Sequence, residues 1–227
     1  MSLRRRDLAG AIAALAIAAV FARLGRWQVH RLSERKAQNA AIRAARAEPA
    51  VELPQHRFAP EALQDRRAHA RGSYDYAHQR VWTRRTFQGA PGVALLTPLR
   101  LSDGSAVFVD RGFVASPDAM HVDTSRYGEG DTVDVTGLVI PAPRDRGDVN
   151  PSALRDSLPY RLLDAVLLLD DTAAAHPQGL LRWRPPPLDN GFFLAYAIIW
   201  FSFALTAVVG ATLLVRQAAK ASRAGVE

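Results

Sequence analysis

Two long apolar runs, one near each end of the 227-residue chain, constrain what this sequence can fold into. Phe192 to Val215 is uncharged over about 24 residues. As a helix that run is roughly 36 Å long, enough to cross a bilayer core of about 30 Å. Arg216, Lys220 and Arg223 follow at once, and the positive-inside rule puts such an end in the cytoplasm. Pro185-Pro186-Pro187 and Asn190-Gly191 break any structure leading into the run. At the other end, Arg4-Arg5-Arg6 precedes the apolar stretch Leu8 to Ala22. That length also suits the core of a signal peptide, with Val20-Phe21-Ala22 as a cleavage site. The apolar character continues through Leu24 into a segment of helical composition without a small-residue break, so a retained anchor is expected. Trp27 then sits at the interface, and Arg23 and Arg26 reach toward it. Two retained helices place both termini on one side. The expected plan is a cytoplasmic tail (1–7), a transmembrane helix (8–25), an extracytoplasmic β-rich domain (26–190), a second transmembrane helix (191–215) and a cytoplasmic tail (216–227).

The middle begins helical and turns strand-like. Arg66 to Tyr76 ends in RGSYDY, and Gln79 to Phe87 is rich in aromatic and β-branched residues. Gln88 to Gly92 reads as a turn. Val93 to Leu101 reads as a strand that Pro98 assigns to an edge or a bulge. Asp103-Gly104 is a hairpin signal, followed by the strand Ser105 to Val114. Thr132 to Ile140, Leu162 to Asp170 and Leu180 to Arg184 complete the strands, and Pro141 to Pro159 reads as loop. Strands joined by short turns predict a mostly antiparallel sheet or small barrel. The expected fold class is therefore a membrane protein of α+β type, two transmembrane helices flanking a mostly antiparallel β domain.

Composition excludes several chemistries. The chain has no cysteine, so it forms no disulfide, thiolate metal site or cysteine nucleophile, and its two methionines, Met1 and Met120, make no copper site. The net charge of +7 comes from arginines scattered along the chain without a nucleic-acid motif, which argues against a nucleic-acid partner. No nucleophile elbow, phosphate-binding glycine loop or helical histidine pair occurs. The six histidines (His30, His56, His69, His78, His121 and His176) are dispersed; His69 and His78 are placed to face each other across a hairpin, a surface pair rather than a metal site. Asp148, Asp164, Asp170 and Asp171 lack the apolar setting of a catalytic acid. Asp110-Arg111-Gly112 lies late in a strand among apolar neighbours. Arg111 there needs a carboxylate or carbonyl partner, in this domain or on another protein, and Gly112 suits a bulge or a close backbone approach. No enzyme is expected.

Three stretches in order, LGRWQVHRLSERK, GAPGVALLTPLRLSDGSAVFVDRGFV and LAYAIIWFSFAL, resemble the Surfeit locus protein 1 family, assembly factors for cytochrome c oxidase with two membrane helices around a domain outside the cytoplasmic or matrix face. The resemblance implies a role in maturation of oxidase subunit I or haem a insertion; a first helix without a mitochondrial presequence before it favours a bacterial inner membrane, with the domain expected in the periplasm. Subunit I, the haem a synthesis machinery and the bilayer are the implied partners. By position Gly25, Trp27, Gln28, Arg31 and Lys36 match the motif after the first helix. Gly92 and Pro98 match the central strand. Arg111 and Gly112 match the arginine-glycine pair, with Phe113 where the family usually has Trp and Asp110 where it usually has Asn. Tyr196, Ala197 and Trp200 match the second helix.

One departure bears on a cofactor. The family typically carries Asn-His where this chain has Phe192 and Phe193. In members that bind haem a, that histidine is the implied axial ligand, and phenylalanine cannot ligate iron. His30 is the remaining candidate on the first helix, against the plainer reading of a solvated or headgroup histidine. Tyr196 and Trp200, spaced i, i+4, share a face that Ala197, Ala204, Ala207 and Gly210 make approachable. That face is expected to meet helix one or an oxidase subunit. The rival reading from another class is a membrane-tethered envelope scaffold unrelated to respiration.

Overall fold

The computed structural model describes residues 5–54, 60–143, 147–169 and 177–224; His56, Asp170, Asp171 and His176 lie outside them. The chain forms two compact units, residues 1–41 with 188–227, and residues 42–187.

The first unit is a helical hairpin. Helix α1 (Arg5–Ala47) and helix α3 (Phe193–Ala224) are both long and apolar enough to cross a membrane. They meet along small residues at seven-residue spacing: Ala11, Ala18 and Gly25 on α1, and Ala197, Ala204 and Ala211 on α3, all buried. A heptad of small side chains lets two backbones close without a bulky core. A Cβ on Gly25 would lie 2.9 Å from the Phe201 ring. Phe21 stacks on Trp200 with centroids 5.7 Å apart and also meets Phe203. The far end is tied by Asn39 Nδ2, which donates to Asp189 O at 2.7 Å and Asn190 Oδ1 at 3.3 Å. Leu8, Ile12, Val20, Leu194, Ile198, Phe203 and Leu205 are among the large apolar side chains left exposed outside the seam. Lipid accepts such a surface and water does not, so the hairpin fits a membrane protein.

The second unit is built on strands β1 (Val51–Leu53), β2 (Arg67–Tyr74), β3 (Arg80–Phe87), β4 (Ala90–Arg100), β5 (Ala106–Ala115), β6 (Thr132–Pro141), β7 (Leu162–Leu169) and β8 (Leu180–Leu181), with the single-turn helix α2 (Pro60–Leu63) between β1 and β2. The sheet runs β1-β2-β6-β7-β5-β4-β3, and β2 also pairs with β4 through Ser73–Arg100 and Tyr74–Leu99. That pairing closes β2-β6-β7-β5-β4 into a barrel, which removes edges along those strands. The ladder is mostly antiparallel, as expected, but β5–β7 and β1–β2 run parallel. The long connection through residues 141–161 makes the β5–β7 arrangement feasible, and nothing in local propensity reveals it. Val149, Leu154 and Leu158 of that connection cover Ala94, Leu96, Phe108 and Val166 on the outside of the barrel, while Leu99, Val107, Val109, Val139 and Leu167 belong to the core cluster of the opposite face.

Pro98 corrects one expectation. β4 is an interior strand, and the proline sits where its partner changes from β3, which ends opposite Leu96, to β2, which begins opposite Leu99. The missing N–H falls in that gap, and Pro98 O accepts from Asp75 N at 2.8 Å. The turn before β4 is also tighter than expected. Gln88 and Gly89 both have positive φ and the strand resumes at Ala90, the geometry of a two-residue hairpin. His69 and His78 do not face each other: His69 bonds Glu52 and Asp134, and His78 bonds Asp75.

Candidate functional site

Strand β5 is buried from Ala106 to Val114. It pairs with β7 through Asp110 and with β8 from Phe113. At this change of partner it carries one extra residue: Ala94 opposes Phe113 and Leu96 opposes Asp110, so two β5 residues lie where β4 has one. This is the bulge Gly112 was expected to make. Gly112 has φ of 133°, and a Cβ there would lie 2.4 Å from Leu181 O. The same glycine thus serves the bulge and the close approach of β8.

Arg111 points inward and is fully buried. Its Nε donates to Glu129 Oε2 at 2.6 Å, and Nη1 donates to Gln79 Oε1 at 2.9 Å and to Thr97 Oγ1 at 3.4 Å. Nη2 donates to Tyr127 O. The guanidinium also lies over Tyr74 and Tyr76, 5.3 and 5.2 Å from their ring centroids. Glu129 is shared: Arg182 Nη2 donates to its other oxygen, and Arg182 Nη1 donates to Arg111 O. Two arginines and one carboxylate therefore form a buried triad of net charge +1. It separates the apolar cluster of Leu99, Val107 and Val109 from that of Val93, Leu95, Val114 and Leu180. The partner Arg111 required lies within its own domain.

Asp110, on the opposite face of β5, is 1% exposed. Its Oδ1 accepts from Trp183 Nε1 at 2.8 Å and from Gly112 N at 3.1 Å, and its Oδ2 has no partner among the described residues. Burial pushes the carboxyl up to about 7, against the pull of the Trp183 and Gly112 bonds and of Arg85 and Arg182. Around it Phe87, Phe113 and Trp183 meet ring to ring, and Arg85 lies 4.1 Å above the Trp82 ring and 5.3 Å from that of Trp183. A carboxyl that titrates near neutrality can hold or release a proton, but among the described residues no nucleophile stands in hydrogen-bond reach of it.

The remaining expected site residues lie on the helical hairpin. Trp27 is half exposed, while Gln28 is buried with its Oε1 unpartnered among the described residues. Arg31 pairs with Glu34 at 2.9 Å, and His30 meets the same carboxylate at 3.3 Å. Trp200 packs on Phe21 and Phe203 of the hairpin, whereas Tyr196 stays half exposed on the outer face. Between Phe193 and Val215 the one side chain able to ligate iron is Tyr196, and Phe193 itself begins α3. The donor set along α3 therefore does not fit a haem. Glu129, Arg182, Gln79, Thr97 and Trp183 escaped the sequence reading. Glu129, flanked by Gly128 and Gly130 in a loop, gives no signal of burial by itself, and Arg182 and Trp183 follow a strand of two residues.

The sequence profile of the SURF1 family matches residues 15–205, a span that takes in most of α1, the whole barrel and the first part of α3. The chain belongs to the SURF1 family. Uncharacterized SURF1-like proteins of Mycobacterium bovis and Mycobacterium tuberculosis are 28% identical to it over 209 residues, covering 84% of this chain and 76% of theirs. SURF1 membership carries a role related to cytochrome c oxidase assembly in general. Within this SURF1 chain the Arg111–Glu129–Arg182 triad is an internal brace of the barrel, and Asp110 stands where the resemblance puts an asparagine.

Proposed function

We propose that this protein is a non-enzymatic assembly factor for cytochrome c oxidase, assisting maturation of subunit I or delivery of haem a to it. The observation that carries the reading is the family match across both helices and the barrel. The apolar shell of the hairpin supports a place in a bacterial inner membrane beside a membrane-embedded subunit. In this reading both termini are cytoplasmic and the barrel lies in the periplasm. Among the described residues the barrel holds a buried Arg–Glu–Arg brace rather than a nucleophile and base, which supports scaffolding over catalysis. With no iron ligand but Tyr196 between Phe193 and Val215, haem handling falls to the partner proteins or to His30. Deleting the gene should lower assembled oxidase while leaving transcripts of its subunits unchanged. Normal oxidase activity in the deletion strain, with no paralogue present, contradicts the proposal.

A further inference from the structure

The two helices of the hairpin differ in where their apolar surface stops. Gly25 lies against Phe201, Phe21 against Trp200 and Phe203, and Gly10 near Leu214. In that antiparallel register Arg23 stands level with Ser202, and Arg26 with Ile198 and Ile199. Yet α3 stays uncharged, with Ile199, Ile198, Leu194 and Phe192 exposed, to its very start. From the level of Arg23 to Phe193 is about nine residues, or roughly 14 Å, farther than an arginine side chain reaches. The uncharged run of α1, Leu8 to Ala22, spans only about 22 Å and cannot by itself cover a bilayer core of about 30 Å. A bilayer that covers α3 therefore also covers the backbone at Arg23, whereas Arg26, about five residues or roughly 8 Å from the level of Phe193, lies where its side chain reaches the headgroups. The Cα–Cβ bonds of α1 tilt toward its N-terminus, deeper into the apolar run, which opposes escape toward water.

Neither arginine has an ion pair or hydrogen bond among the described residues. The acids of the hairpin are elsewhere or engaged: Asp7 is at the far end of α1, Glu34 is held by Arg31 and His30, and Asp189 Oδ1 accepts from Gly191 N. Arg23, Arg26, Trp27 and His30, spaced i, i+3, i+4, i+7, form one exposed face turned away from the Gly25 seam. On the same helix Ala19, Val20 and Leu24 supply apolar surface below the cations. Cations without counter-ions on a helix face that enters the bilayer, with apolar side chains below them, select an amphipathic anion.

We propose that this face of α1 binds one anionic phospholipid, its phosphate held by Arg23 and Arg26 and an acyl chain lying along Ala19 and Val20. The inference rests on the membrane reading of the hairpin. Its test uses the full chain purified in a non-ionic detergent, with lipid adducts counted by native mass spectrometry and thermal unfolding followed as lipid is added. Phosphatidylglycerol should bind in preference to phosphatidylcholine, and Arg23→Gln/Arg26→Gln should weaken that binding by roughly thirtyfold, from about fivefold per arginine. The control Arg216→Gln/Lys220→Gln removes two cations at the other end and should leave it unchanged. Equal loss in the control would mean general attraction to anionic lipid and would overturn the site. So would equal binding of the two lipids, or full displacement by millimolar inorganic phosphate. If the double glutamine variant unfolds, Arg23→Lys/Arg26→Lys replaces it and should retain phosphatidylglycerol selectivity; loss of selectivity in that folded variant contradicts the phosphate contact. Extraction of the native protein from cells without detergent would instead sink the membrane reading, independently of any lipid result.

Discussion

Removing Glu129 leaves Arg111 and Arg182 as like charges inside the barrel, whereas removing Arg111 leaves an Arg182–Glu129 pair beside a hole. Breaking a buried ion pair costs about 3–5 kcal/mol, a large part of the roughly 5–15 kcal/mol that holds a typical domain together. Glu129→Ala is therefore expected to lower thermal stability and trypsin resistance at least as much as Arg111→Ala. If Arg111→Ala accumulates and resists trypsin as the wild type does, the brace account is contradicted. Asp110 gives a pH signature. Its folded value of about 7 lies above its ordinary 3.8, so between those values the folded chain binds more protons than the unfolded one. The stability contributed is fully present below about pH 4 and is lost as pH rises through 7. Asp110→Asn, uncharged at every pH, should flatten this dependence and be the more stable form at pH 8, by up to a few kcal/mol. Parallel pH–stability curves for the two proteins would refute the buried-carboxyl account.

At the scale of elements, two glycines are fixed by contact and respond differently to substitution. At Gly112 the obstacle is the backbone oxygen of Leu181, and φ is positive, so Gly112→Ala should cost at least about 1–3 kcal/mol of strain and loosen β8, seen as faster proteolysis at residues 177–184. At Gly25 the obstacle is the edge of the Phe201 ring, which can turn. Gly25→Ala should be tolerated, and Gly25→Leu should lower the unfolding temperature of the hairpin in detergent. What the sequence made legible follows the same division. Both long helices, the Asp103-Gly104 turn and the Gly112 bulge could be read because period, turn chemistry and glycine act locally. The parallel β5–β7 pairing, the interior place of Pro98 and the identity of Arg111's carboxylate could not, because each depends on segments distant in sequence. Asp110 looked ordinary for the same reason: only Trp183, far along the chain, makes it a buried carboxyl with one bonded oxygen.

For the molecule as a whole, topology and function are separate claims with separate tests. A periplasm-active reporter fused at residue 120 and a cytoplasm-active one at the C-terminus should both work; a cytoplasmic reporter active at residue 120 contradicts the orientation. Function is tested most directly by the reduced-minus-oxidised spectrum of membranes from the deletion strain, normalised to the amount of subunit I polypeptide. An assembly factor predicts less oxidase haem per subunit I, restored by the wild-type gene and not by Glu129→Ala. Unchanged haem per subunit I, with oxidase activity to match, would contradict the account.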